Sequence, residues 1–186
     1  MTHKELTTRR HAALQMALAA ALLAGPCLAW AQPDSKACAL VLMHDRGGSA
    51  APMAALGRKL QASCTVKAVE MPWSLRRAND KDLSGAWQEI TRHIRELRQQ
   101  GYKRVLVGGV GFGANAAMAY GGAVGDADGV VALAPEADAP GIGALPATAV
   151  ALRQHMPVLW VLGTDDPLFQ RGEDFAFAKA PPHPQS

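Results

Sequence analysis

Residues 105–120 read VLVGGVGFGANAAMAY: an apolar run, glycines at 108, 109, 111 and 113, then a stretch of small residues with helical character. Glycines at this spacing permit a sharp strand-to-helix turn and close strand–helix packing. Such a turn aims backbone N–H groups at whatever lies in front of the helix. The point of the turn, Gly111, has no side chain and therefore no nucleophile; Phe112 follows it. Three other stretches carry polar or titratable groups. Met43-His44-Asp45-Arg46-Gly47-Gly48 sets an imidazole, a carboxylate and a guanidinium side by side, Gly163-Thr164-Asp165-Asp166-Pro167 carries two carboxylates in a turn, and Met71-Pro72-Trp73-Ser74 adds an indole and a hydroxyl.

These stretches need elements to position them. Apolar runs rich in β-formers occur at 38–43, 65–70, 104–108, 129–134 and 157–162. Between them lie segments too long for hairpin turns, which points to βα units and a parallel sheet. Continuous runs such as ALVLM and RVLVG suit strands covered on both faces. The clearest helix is expected over 83–100, where Leu83, Trp87, Ile90, Ile94 and Leu97 form one apolar stripe. Another is expected from Pro52 to about Ala62, with Ser49 or a neighbour as its cap. Residues 141–151 are weakly patterned and suit a short helix or a loop. The expected fold is thus α/β, a mainly parallel sheet of about five strands with helices on both faces, in three layers. Each chemistry-bearing stretch follows a strand, and ligand sites in open α/β sheets lie at the carboxyl ends of the strands.

Taken in order, the four stretches resemble the α/β-hydrolase family. Gly109-Val110-Gly111-Phe112-Gly113 has the spacing of that family's Gly-x-Ser-x-Gly nucleophile elbow, with Gly111 where the serine usually stands. Met43-His44-Asp45-Arg46-Gly47-Gly48 is similar to its His-Gly-x-Gly-Gly loop, whose N–H groups help to form the oxyanion hole, with Asp45 in place of a glycine. The resemblance implies that Asp166, ahead of Asp165, occupies the triad acid position, that His44 and Phe112 belong to the oxyanion-loop region, and that 71–74 overhangs the pocket. It covers residues 39 to about 180. The family's histidine follows one further strand after the acid. The twenty residues after Asp166 instead hold an expected helix at 172–179 and the run Pro181-Pro182-His183-Pro184, so that strand and its base are expected to be missing. His183 lies in the tail, His155 precedes the last strand at the wrong edge, and His44 suits a structural hydrogen bond.

The resemblance therefore implies ancestral ester or thioester hydrolysis in a chain lacking nucleophile and base, a pseudoenzyme rather than a working hydrolase. A non-catalytic periplasmic binding protein is the alternative, with a small-molecule ligand at the strand carboxyl ends. Gly109-x-Gly111-x-x-Ala114 also fits a dinucleotide-binding turn, but it follows the third strand rather than the first. No metal and no cofactor are expected.

Residues 1–31 read as a secretory signal peptide, followed by one domain over 32–186. Lys4, Arg9 and Arg10 open it, an apolar run extends from Ala12 to Leu28, and Ala29-Trp30-Ala31 fits a small-x-small cleavage site. A membrane anchor is the alternative; the run is short for a span and Gly25-Pro26 breaks it. The chain carries 19 basic and 16 acidic residues. The segment takes Lys4, Arg9, Arg10 and Glu5 with it, leaving 16 against 15 and no charge basis for nucleic acid. No membrane association is expected after cleavage. Export leaves Cys38 and Cys64 in an oxidising compartment, at the starts of strands expected to be parallel neighbours, where a disulfide can close. The first amino acid of the mature protein is expected to be Gln32. N-terminal mass spectrometry of envelope material checks it; retention of 1–31 there would mark an anchor.

Overall fold

The computed structural model describes residues 36–77, 83–144 and 156–167. The signal-like segment, His155, His183, the helix expected at 172–179 and most of 141–151 lie outside these residues.

The β-rich runs form a five-stranded parallel sheet. In chain order its strands are β1 (Cys38–Met43), β2 (Thr65–Val69), β3 (Arg104–Val110), β4 (Val130–Leu133) and, after a short ribbon described below, β7 (Val158–Val161). Their spatial order is β2-β1-β3-β4-β7. Pairing brings Ala39 opposite Thr65, Cys38 opposite Arg104, Val107 opposite Val130 and Val130 opposite Val158. Among the described residues three α-helices pack on the sheet: α1 (Ala50–Leu60), α2 (Leu83–Gln99) and α3 (Phe112–Ala123).

Alternation along the strands assigns the two faces. Ala39, Val41, Met43, Val105 and Val107 face α2 and α3, where Ile90, Ile94, Leu97, Ala117 and Tyr120 complete a buried layer. Leu40 and Leu42 point the other way, onto Met53 and Leu56 of α1. The result is the expected three-layer α/β arrangement, because strands buried on both faces must carry apolar side chains at successive positions. The expected stripe of α2 is the one it buries. Tyr120 ties α3 to α2, its hydroxyl lying 2.8 Å from Thr91 Oγ1 and donating to Asp126 Oδ1 at 2.5 Å. Burial, and then the Asp126 carboxylate, push this phenol well above its ordinary range.

Three details differ from the sequence reading. β3 runs on to Val110, so Gly109 is still strand and the turn begins at Gly111. A short antiparallel ribbon pairs β5 (Asp138–Ala139) with β6 (Gly143–Ala144), and β6 lies in the weakly patterned segment. Ser49 stands at the N-cap of α1 but makes no side-chain bond there. Glu70, at the end of β2, accepts the Ala50 N–H at 2.8 Å instead. That bond, ahead of weaker polar neighbours, holds its carboxyl below the ordinary glutamate value.

Cys38 and Cys64 form a disulfide, with Cα atoms 4.8 Å apart. The register explains it: Ala39 pairs with Thr65, so the residue before each stands one step back at the same edge. The bridge sits at the amino-terminal edge of the sheet, away from the loops that follow the strands. It closes a loop with a sequence separation of 26, for which the chain-entropy model predicts a stabilisation of about 3 kcal/mol. Thiol titration of the unreduced, unfolded mature protein is expected to find no free thiol, and two would contradict the bridge. Replacing both cysteines by alanine is expected to lower Tm by roughly 6–12 °C.

Candidate functional site

At the carboxyl edge of the sheet the loops after β1, β2, β3 and β4 converge. The turn from β3 to α3 is made by one residue. Gly111 has φ 55° and ψ −123°, a conformation that costs most side-chain-bearing residues about 1–3 kcal/mol. Its N–H donates to Leu133 O at 3.1 Å, and its carbonyl accepts the Ala114 N–H at 3.0 Å. The first turn of α3 then presses on the end of β1. A Cβ on Gly113 would stand 2.6 Å from His44 O and 2.9 Å from Met43 O. Glycine there is a packing requirement, not a licence for flexibility.

Asp45 fills the space in front of this turn. A Cβ built on Gly111 would lie 2.5 Å from Asp45 Cγ, 2.5 Å from Oδ1 and 2.8 Å from Oδ2. The carboxylate thus stands where a side chain at position 111 would have to begin. Its Oδ1 accepts two backbone N–H groups, from Arg46 at 2.7 Å and from Phe112 at 2.8 Å. One donor belongs to the loop after β1, the other to the residue after the turn. Hydrogen bonds to an ionised acceptor are among the stronger ones a fold can make.

Around this contact the neighbours are fixed. The Arg46 guanidinium lies 4.0 Å from the centre of the Phe112 ring, and its Nη2 donates to Pro140 O at 3.0 Å. Phe112 packs edge-on against Trp73, ring centres 5.1 Å apart. Trp73 is buried and donates its indole N–H to His44 O at 3.0 Å, while Gly47 N–H donates to Trp73 O at 2.9 Å. The loop 71–74 therefore braces the β1 loop from within rather than overhanging a pocket.

His44 has both ring nitrogens engaged. Nε2 accepts the Met71 N–H at 3.0 Å, so the proton sits on Nδ1, which donates to Asp45 O at 2.7 Å. At 1% exposure the ring has no path to a ligand. It positions the backbone of Asp45 and is not placed to act as a base.

The structure brings His44, Asp45, Gly111 and Phe112 together. Asp166 follows β7, two strands from β3 in the sheet, and its N–H donates to Gly163 O at 3.0 Å. A further carboxyl, which the sequence reading did not single out, interacts with Asp45 and Arg46. Glu136 follows β4, and its backbone is clamped by the buried Asn115 of α3. Asn115 Nδ2 donates to Glu136 O at 2.8 Å, and the Glu136 N–H donates to Asn115 Oδ1 at 2.7 Å. Burial raises the Glu136 pKa, the Asp45 charge raises it further, and Arg46 opposes both. The available signal was Asn115 itself, a lone amide in a helix of alanines and glycines.

The same geometry bears on a phosphate ligand. The Phe112 N–H, which a dinucleotide-type turn would offer to a phosphate, already serves Asp45, whose negative charge stands in the way. Among the described residues no group of three or more His, Cys, Asp or Glu side chains is placed to hold a metal ion. No family model matches the chain, and no curated protein matches it significantly.

Proposed function

We propose that this chain is an exported protein with an α/β-hydrolase-like core whose site binds a small molecule rather than hydrolysing esters. The observation that carries the reading is Gly111. The β3–α3 turn has the sharp strand-to-helix form suited to presenting a nucleophile, yet its central residue has no side chain. The parallel sheet, the position of the turn after a central strand and the N–H pair beside it support the ancestral relationship. Asp45 supports the loss of function, since its charge lies where an acyl-transfer site would need donors open to a developing oxyanion. The signal-like segment and the disulfide support export. Among the described residues no helix is long and apolar enough to cross a membrane.

A serine added at 111 lacks what a hydroxyl needs. Its Cβ would meet the Asp45 carboxyl group at 2.5 Å, and among the described residues no histidine is placed to serve it as a base, His44 being held by its own hydrogen bonds. A hydroxyl without an adjacent base is a weak nucleophile. Turnover of p-nitrophenyl acetate and butyrate by the mature wild type and by Gly111→Ser is expected to stay at the uncatalysed background. Robust turnover by the wild type would overturn the reading and place the chemistry on another group, Asp45 or Glu136 first.

A further inference from the structure

Parallel pairing leaves β2 with one side unused. The strand stands at an end of the order β2-β1-β3-β4-β7, and among the described residues nothing pairs with its outer edge. Alternate residues of an edge strand turn their N–H and C=O groups away from the sheet, which makes a template for one more strand. β2 is also fixed at both ends. The disulfide at Cys64 fastens its start to β1. Just past its end, the Glu70 carboxylate accepts the Ala50 N–H and the Glu70 carbonyl accepts a bond from Arg77. A strand held in this way loses little further freedom on pairing.

Beside the edge, α1 leaves a groove of about 440 Å3. Gly57 brings the helix so close to β2 that a Cβ there would stand 2.8 Å from Val66 Cβ. Ala54, one turn earlier, adds only a methyl group, so Val66 and Ala68 form an apolar floor that nothing covers among the described residues. In an added strand every second side chain points to this side, where the groove takes it.

Charge selects the occupant. Arg58 lines the groove, Lys59 follows it, and neither has a carboxylate partner among the described residues. On the other face of β2, Lys67 and Arg92 share one carboxylate, that of Glu96. Both sides of the edge therefore carry excess positive charge. A second copy paired edge to edge would set cation against cation, and directly opposed like charges destabilise paired strands. We infer that the outer edge of β2, with the groove beside it, is a docking site for an extended acidic segment of another protein, which adds to the sheet as a further strand. The inference is independent of the site at the carboxyl edge.

The test uses the folded, disulfide-bonded mature protein and, as probe, a capped heptapeptide alternating glutamate and valine. The lysine–valine counterpart is the control, and backbone amide NMR follows each titration. The amides of residues 65–69 are expected to shift saturably with the acidic peptide and not with the basic one. Arg58→Glu reverses the charge of the groove and Ala54→Tyr fills it, both at exposed positions of α1. Each is expected to weaken binding at least about tenfold. A folded wild type whose β2 amides ignore the acidic peptide would overturn the inference, as would equal binding of the two peptides or full affinity in a folded variant. If one variant fails to fold, the other decides. Movement of the same amides with protein concentration alone would also overturn it, because it would give the edge to a second copy of the chain.

Discussion

The contact between the Asp45 carboxylate and the N–H groups of Arg46 and Phe112 is the constraint on which the site depends. It joins the loop after β1 to the start of α3, two segments 67 residues apart in sequence. Everything nearby is arranged around it. His44 holds the Asp45 carbonyl from below, Trp73 holds the His44 carbonyl, and Arg46 folds over Phe112. A side chain at 111 and a carboxylate at 45 need the same volume, so the chain holds one and not the other. Glycine at the turn and aspartate in the loop are one structural solution.

The sheet makes this contact available. β1 and β3 are parallel neighbours with Met43 opposite Gly109, so the loops that leave them start side by side. Gly113 then lets α3 approach within van der Waals reach of the β1 loop, where one carboxylate bridges the gap. The disulfide fastens β1 to β2 at the other edge, so covalent restraint and the polar contact act on opposite ends of β1.

Much of this fold was legible in the sequence because it depends on burial. The strands are continuous apolar runs, α2 shows its stripe, and the disulfide follows once two strand starts are set side by side. The candidate site was legible only in part. Gly111, Phe112 and His44 could be placed in one neighbourhood from strand order alone. The role of Asp45 could not be read, because its seat depends on side-chain rotation and on a donor far away in sequence. Glu136 was hidden for a similar reason: the clamp on it is formed by Asn115, one helix earlier. Ser49 does stand at the N-cap of α1, but the acceptor of the Ala50 N–H, Glu70, could not be read locally because it comes from the end of a neighbouring strand.

The most direct measurement of the central claim is a double-mutant cycle on unfolding free energy, with Gly111→Ala, Asp45→Gly and the pair. Alone, Gly111→Ala adds a methyl group against the Asp45 carboxyl on top of backbone strain of about 1–3 kcal/mol. If position 111 and the carboxylate compete for one volume, the alanine costs less once Asp45 is gone, with a coupling in the range of about 0.5–3 kcal/mol that contacting residues show. Strictly additive costs would contradict the account, because they would mean that the Asp45 carboxylate does not occupy the space in front of Gly111.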